Sequence, residues 1–421
     1  MESTQDVLVV GGGVIGLASA LALLEQGRSV RILDAGRVGG GSSHGNCGTI
    51  TPSHAAPLSA PGSVAMALRW MLTPDAPFYL KPRFDPALWQ WLLGFARRCN
   101  PRDWRRGAEA RLAILSAARD ALPEWVEHYG LDCEYDPTGV DYVFRSERDV
   151  ADFAAELALL DRIGLPYERI DGAAYVRGEP ALREGVVQVV RFPGDARLRP
   201  DRYVAGLARA VRERGGIIME HCRVSAIDSR DDGVTASVSG PGGSGRHGAR
   251  DLVLATGAWL PQMARALKLR VPVQPGKGYS ITYSRPALVP RRPLVLHGPS
   301  VCVTAWDSGF RLGSTMEFSG YDASLNRRRL DALERGAAEY LHQPVGPEKQ
   351  EEWYGWRPLS VDDLPLLGRA PGHRHLWLAT GHGMLGVSMS TATGRLMAEL
   401  VSGLEPHIDP APFDPARFGP V

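Results

Sequence analysis

The chain has 421 residues, 44% of them hydrophobic and 23% charged, and 48 Lys and Arg against 47 Asp and Glu leave a net charge of +1. That size and balance exclude a disordered chain and a charge-driven nucleic-acid binder, and no apolar run is long enough to cross a bilayer. The five cysteines, Cys47, Cys99, Cys133, Cys222 and Cys302, lack paired spacing, and acidic Glu2 and Asp6 stand where a secretion signal needs positive charge. The expectation is an intracellular protein in a reducing compartment, with no metal site.

Residues 7–10 read as a buried parallel strand, 14–24 as a helix and 30–33 as a second strand ending on Asp34, one complete strand-helix-strand unit. Between the first two, Gly11, Gly13 and Gly16 match G-x-G-x-x-G. The first glycine permits the tight turn, the second a close approach to pyrophosphate, and the third tight helix–strand packing. Val14 and Ile15 open the helix, whose free N–H groups and positive dipole end point at the phosphates. Asp34 lies eighteen residues beyond Gly16, where a carboxylate accepts hydrogen bonds from both ribose hydroxyls of an adenosine. The order predicts an adenine dinucleotide site and leaves NAD and FAD undivided.

A glycine- and serine-rich stretch over 39–48 opens a long functional loop that is punctuated by prolines to about residue 82. Helical patterns follow from 86 to 160, among them 88–98 and 108–128, with a strand over 142–145. A helix over 202–214 leads to strands over 217–227, 234–238 and 252–254, with a flexible hairpin read at 240–248. Strand alternation returns over 279–283, 301–305 and 310–313, and a last strand over 376–378 runs into a glycine-rich turn and a helix to about 400. With α/β pieces at the start, middle and end, the nucleotide domain is discontinuous: 1–75, 196–262 and 350–421, the substrate domain taking 76–195 and 263–349.

Distant segments separate flavin from nicotinamide. Ser42-Ser-His-Gly-Asn-Cys-Gly48, Ala255-Thr-Gly257, Gly355-Trp-Arg-Pro358 with Pro365-Leu-Leu-Gly368, and Thr380-Gly-His-Gly-Met-Leu-Gly386 occur together and in this order. The set resembles the flavoenzymes of the D-amino-acid oxidase superfamily, most closely the bacterial D-amino-acid dehydrogenases. Ala55-Ala-Pro-Leu-Ser-Ala-Pro-Gly62, Arg69-Trp-Met71 and Gly276-Lys-Gly-Tyr-Ser280 look like that subgroup's own motifs. The resemblance implies an α/β fold: a doubly wound, Rossmann-like FAD-binding domain interleaved with an α+β substrate domain on a mixed, mostly antiparallel sheet. It places Ser42, Ser43, Asn46, Cys47 and Gly48 along the pyrophosphate and flavin, and Val224, Ala255, Thr256 and Gly257 beside the adenosine. Cys47 is read as a small packing residue and not a redox centre, and the FAD as non-covalent. The second glycine turn supports flavin on physical grounds as well. N–H groups around Gly383, Met384, Leu385, Gly386 and Val387, after Gly381 and at a helix N-terminus, can stabilise negative charge on reduced flavin.

An amino-acid substrate needs its carboxylate clamped so that its α-hydrogen meets flavin N5, and arginine supplies the bidentate clamp. Arg357 matches the superfamily position for it. Tyr279 matches a motif tyrosine whose phenol would bond the carboxylate or wall the pocket. Lys277 faces either flavin or solvent, and Trp356 either narrows the pocket or packs on the sheet. His54 and His382 are candidates for hydrogen bonds to substrate or flavin, neither assigned as a base. The loop 52–61 and the strands over 301–310 are the expected pocket walls and carry few charges beside Asp307, which favours small neutral or cyclic D-amino acids, D-proline and hydroxyprolines included. The resembled subgroup implies a quinone acceptor and peripheral contact with the cytoplasmic face of a membrane. The helix 88–98, with tryptophans, leucines and a basic end, has the composition for that contact, although a core helix explains it too. Two alternatives stand beside the dehydrogenase: an oxidase of glycine or N-methylated amino acids, and a subunit in which FAD is structural.

Overall fold

The computed structural model describes residues 5–71, 78–241 and 243–419. The boundary expected at 75/76 lies outside them. Gln5–Val10, rich in valine and almost wholly buried, is a central strand with parallel neighbours on both sides. The parallel order is Leu376–Thr380, Gly243–Leu254, Gln5–Val10, Val30–Leu33 and Ile217–Met219, the doubly wound arrangement expected. Its glycine turn leads into Val14–Glu25, a helix apolar on nearly every side because it lies between the sheet and the helices Pro200–Glu213 and Ser390–Ser402.

Two strand expectations change. The stretch 217–227 is not one strand: Ile217–Met219 and Arg223–Arg230 are separated by a turn at His221, φ 55°. There the N–H groups of His221 and Cys222 bond the carbonyls of Gly36 and Asp34. The glycine-rich hairpin is regular strand, since Gly233–Gly240 pairs in continuous antiparallel register with Gly243–Leu254. Composition suggested a loop, but a strand held by backbone bonds tolerates glycines that have no core to fill.

Among the described residues the second sheet has nine strands, in the order Lys349–Ser360, Val273–Tyr283, Gly309–Phe318, Val301–Trp306, Leu294–Leu296, Val140–Phe144, Gln188–Phe192 and Glu168–Asp171, with Phe78–Leu80 added to Gly309–Phe318. Only the pairs Leu294–Leu296 with Val140–Phe144, and Phe78–Leu80 with Gly309–Phe318, are parallel. The helix Arg327–Tyr340 covers one face, burying Leu330, Leu333 and Ala337 against Ile281, Val303 and Leu312. The other face looks toward the nucleotide unit. Two segments cross the expected division. Lys349–Ser360, drawn with 350–421, pairs in the second sheet, and the helix Pro101–His128, drawn with 76–195, packs Ile114, Leu115 and Leu122 into the core of the first.

A bridge between Leu359 and His382, and a bond from the Gly383 N–H to the Pro358 carbonyl, fasten the second sheet to the last turn of the first. The crossing of helix on strand depends on Gly16, where an added Cβ would sit 1.9 Å from the Gly11 carbonyl oxygen. Gly16→Ala is therefore expected to cost about 2–4 kcal/mol of folding stability. Chemical denaturation of the two proteins checks this, and an unshifted midpoint would contradict it.

Candidate active site

One cavity of about 720 Å³ runs along the seam between the two units. At one end it is walled by Gly11, Gly13, Val14, Ile15, Asp34, Val224, Ala255, Thr256 and Gly257; Ser42, Ser43, Asn46 and Cys47 follow, then residues 383–387, and finally Arg357, His54 and His382. Five expected residues do not line it: Gly16, Gly48, Gly381, Lys277 and Trp356. The first is the packing glycine described above. A Cβ on Gly48 would meet the Leu198 carbonyl, and one on Gly381 would meet Leu366, so both shape the turns behind the wall.

At the glycine turn, Gly11 has φ 105° and its missing Cβ leaves room for the Ala255 carbonyl, drawing the Ala255 strand end against the turn. Asp34 accepts from the N–H groups of Gly12 at 2.6 Å and Gly36 at 2.7 Å. The carboxylate thus holds the loop open while its remaining lone pairs face the cavity side. Ser43 Oγ accepts from the Val14 N–H at 3.1 Å, which leaves its hydroxyl proton for an anion at the helix start. Buried Thr256 Oγ1 has no partner.

The second turn differs from expectation. The helix begins at Ser390, so residues 383–387 are turn and not helix N-terminus. The N–H groups of Gly383 and Leu385 are already taken by the carbonyls of Pro358 and His382. The turn is placed by those bonds and by Asn46 Nδ2, which donates to the Met384 carbonyl at 3.4 Å.

Arg357 sits in Lys349–Ser360 opposite Gly276. Strand alternation puts Arg357, Gly276, Gly278 and Ser280 on the cavity face. An added Cβ on Gly278 would lie 2.2–2.3 Å from the guanidinium of Arg357, so this glycine provides the space the guanidinium fills. Nη1 donates to the Thr315 carbonyl at 2.5 Å and Nη2 to the Ser314 carbonyl at 3.4 Å. Those carbonyls point that way because the strand Gly309–Phe318 bulges there, with Ser314 at φ 150° and Thr315 at φ 64°. No carboxylate among the described residues pairs with Arg357, and burial pulls its pKa below the ordinary arginine value.

The same alternation removes Tyr279 from the pocket. Its phenol lies on the opposite face, in the core beneath Arg327–Tyr340, and donates to Glu317 Oε2 at 3.2 Å; burial and then Glu317 raise its pKa. Tyr279 still counts among the cavity-lining residues, but its phenol is engaged on the far side. Lys277 shares that far face, buried with Nζ on the Ser324 carbonyl and over the rings of Tyr279 and Tyr354 at 5.2 and 4.8 Å. It faces neither cavity nor solvent. Trp356 packs edge-on against Trp259 and Tyr354, and its carbonyl accepts from Ser42 Oγ.

His54 and His382 do line the cavity. His54 Nε2 is 2.9 Å from the Tyr142 hydroxyl, and its carbonyl accepts from Arg111, which also pairs with buried Asp363. Burial, then the Arg111 charge, lower its pKa to about 4. His382 is tied to Thr393 Oγ1 at 3.1 Å, and burial lowers it to about 3. Both are neutral imidazoles near pH 7.

Several residues of the site escaped the sequence reading. Arg311, 1% exposed, donates to the carbonyls of His44 and Asn46 and so pins the 42–48 loop to the second sheet. Val295, Cys302 and Gly313 form a cross-strand row with Ser280 and Tyr142 on the cavity face. The only signal available was the parity of each strand, which needs the register to be read.

The chain matches the family described as FAD dependent oxidoreductase over residues 6–400. It is 31% identical over 98% of its length, and 99% of the other's, to a D-amino acid dehydrogenase of Granulibacter bethesdensis. Among solved structures it is similar to glycine oxidase from Geobacillus kaustophilus, with a TM-score of 0.78 and 24% identity, covering 98% of this chain and 99% of that one. L-proline dehydrogenase from P. horikoshii aligns with a TM-score of 0.74 and 18% identity over 99% and 98%. At those identities the two structures speak for the fold alone.

The imidazole of His54 predicts a pH effect. Its folded value near 4 lies below the ordinary 6.5, so the unfolded chain binds the extra proton. Stability from the neutral ring is present above pH 6.5 and lost as pH falls through 4. Between those values the wild type should lose up to about 1.4 kcal/mol per pH unit more than His54→Gln. Parallel denaturation curves at pH 7 and pH 5 test it, and equal losses would refute it.

Proposed function

Because the chain belongs to the family of FAD dependent oxidoreductases, we propose that it is an FAD-dependent dehydrogenase of small neutral or cyclic D-amino acids, D-proline and hydroxyprolines included, with a quinone or similar acceptor. The observation that carries this reading is the half-buried guanidinium of Arg357, which lines the cavity without a carboxylate partner among the described residues. A buried charge left without an anion is costly, and a substrate carboxylate relieves that cost.

The residues fit the cofactor. Gly11, Asp34, Ser43 and Thr256 offer the turn, the carboxylate and the hydroxyls for its adenosine and pyrophosphate, and the cavity volume falls in the range of cofactor sites. When bound, non-covalently in this proposal, FAD supplies the two-electron acceptor. The chain's own contribution is alignment: Arg357 holds the carboxylate, the Ser314 and Thr315 carbonyls and Gly278 hold Arg357, and the sheet face with Val295 and Cys302 receives the side chain. His54 and His382 are neutral and line the cavity, so any shift of the substrate nitrogen toward its uncharged, reactive form comes from desolvation in the pocket. Asp34 at the adenosine end is the only carboxylate among the described lining residues, so a cationic side chain finds no counter-charge near Arg357. Asp307, the acid considered from sequence, lies on the surface beside Arg285.

The D-configuration and the dehydrogenase reading draw support from the relative at 31% identity. Peripheral membrane contact at the cytoplasmic face belongs to the same proposal. The helix Pro86–Arg98 buries Leu88 and Trp91 but exposes Trp89 and Leu93, so it has a core face and an outward apolar face. Among the described residues no helix is long and apolar enough to cross a membrane.

Anaerobic mixing of the yellow protein with D- and L-amino acids should bleach the flavin with neutral or cyclic D-substrates ahead of D-arginine. Arg357→Met should retain its flavin spectrum and lose about 2–4 kcal/mol of transition-state binding, roughly 30- to 1000-fold in kcat/KM. Dye reduction with little oxygen uptake is expected. Strong peroxide release would instead favour the oxidase, and a flavin that no amino acid bleaches would refute the amino-acid reading.

A further inference from the structure

Cys47 and Cys302 lie far apart in sequence but meet on the cavity wall. Cys47 Sγ sits 2.5 Å from where a Cβ of Gly313 would stand, and Gly313 is the direct cross-strand partner of Cys302. Directly opposed residues send their side chains to the same face, with Cβ atoms about 4.5–5.5 Å apart. Gly313 thus vacates the volume between the two cysteine side chains, which face each other across it on the cavity wall. Both cysteines line the cavity and both are partly exposed.

The other three thiols offer no such pair. Cys133 is buried in the core of the first unit, Cys222 lies at the adenosine end, and Cys99 caps the surface helix Pro86–Arg98.

We propose that Cys47 and Cys302 are a redox-active thiol pair that closes to a disulfide across the cavity wall when the enzyme meets a hydroperoxide. The Cys47 sulfur attacks a peroxide oxygen, the O–O bond breaks, and hydroxide leaves, giving a sulfenic acid. The Cys302 sulfur then displaces that hydroxyl as water. In sum, two thiols and hydrogen peroxide become one disulfide and two waters. The roles follow from the surroundings. The hydrogen bond from Cys302 and the guanidinium charges of Arg311 and Arg357 lower the Cys47 pKa, whereas that bond and burial raise Cys302. Closure needs the sulfurs to approach to about 2.05 Å through χ1 adjustment and a shift of the 42–48 loop.

The pair sits where the 42–48 loop meets the sheet face beside Arg357, so closing it shifts the wall against which the substrate is aligned. Turnover is lost on oxidation and returns on reduction.

The test uses the FAD-loaded protein treated with a few equivalents of hydrogen peroxide, alkylated, and mapped by mass spectrometry. Expected is the loss of two of the five alkylatable thiols, recovered in one linked peptide carrying Cys47 and Cys302, and restored by dithiothreitol. In Cys302→Ser, dimedone should trap a sulfenic acid on Cys47, and longer exposure should oxidise it beyond rescue by dithiothreitol. Five thiols still alkylated after peroxide, a link through another cysteine, or wild-type Cys47 passing to sulfinic acid unlinked would each overturn the proposal. The thiol map on the wild type decides the matter even if the variant does not fold, and it requires no substrate.

Discussion

A guanidinium partly withdrawn from water and given no anion is the constraint around which this site is organised. Arg357 has lost hydration without gaining a carboxylate, and what compensates it within the chain is a pair of backbone carbonyls. Carbonyls of a regular strand bond their neighbouring strands and cannot turn toward a side chain. Those of Ser314 and Thr315 are available because the strand bulges there into left-handed backbone, φ 150° and 64°, a conformation costly for residues with a Cβ. The strain at the bulge and the partial solvation of Arg357 are thus two sides of one arrangement. Gly278 completes it by leaving a gap the size of the guanidinium. The outcome is a positive charge, fixed in direction, whose unsatisfied side is the cavity.

That arrangement has meaning only if the sheet is held in register with the nucleotide unit, and the fastening is polar and buried. The Leu359–His382 bridge and the Gly383 to Pro358 bond join the strand of Arg357 to the second glycine turn. Arg311, from the middle of the second sheet, bonds the carbonyls on either side of residue 45, while Asn46 reaches the Met384 carbonyl. On the far side, Arg111 joins Asp363 to the His54 carbonyl, and Asp363 also accepts from the Leu58 N–H. The Leu359–His382, Gly383–Pro358 and Arg311 contacts each tie a loop of the first unit to a strand of the second. Most of them are part-buried, and the Arg111–Asp363 pair is buried, where losing one partner is expensive.

Electrostatics divides the cavity into two ends. Near the adenosine end stand Asp34, Arg37 and Arg223; at the Arg357 end stand one cation, neutral imidazoles and thiols, with no carboxylate among the described lining residues. A zwitterion entering the second end finds one complementary charge and nothing that favours a second cation. Chemistry by alignment, with the substrate's own nitrogen supplying the electron pair, suits such an environment better than proton transfer to a strong base.

Much of this was legible before any coordinates. The dinucleotide unit was readable to within a residue or two, because hydrophobic runs, helical spacing and glycines that relieve steric overlap are local properties of the chain. Arg357 was identifiable through the motif around it. What sequence left undecided was parity. Tyr279 and Lys277 stand one residue from Gly278, and that single step sends them to the opposite face of the sheet. Likewise Cys302, Gly313 and Arg311 carried no local mark, because their place at the site comes from which strands lie side by side. Local sterics and periodicity are written into neighbouring residues. Strand register, the bulge and the meeting of two thiols arise from pairing between distant segments, and only the folded chain fixes that pairing.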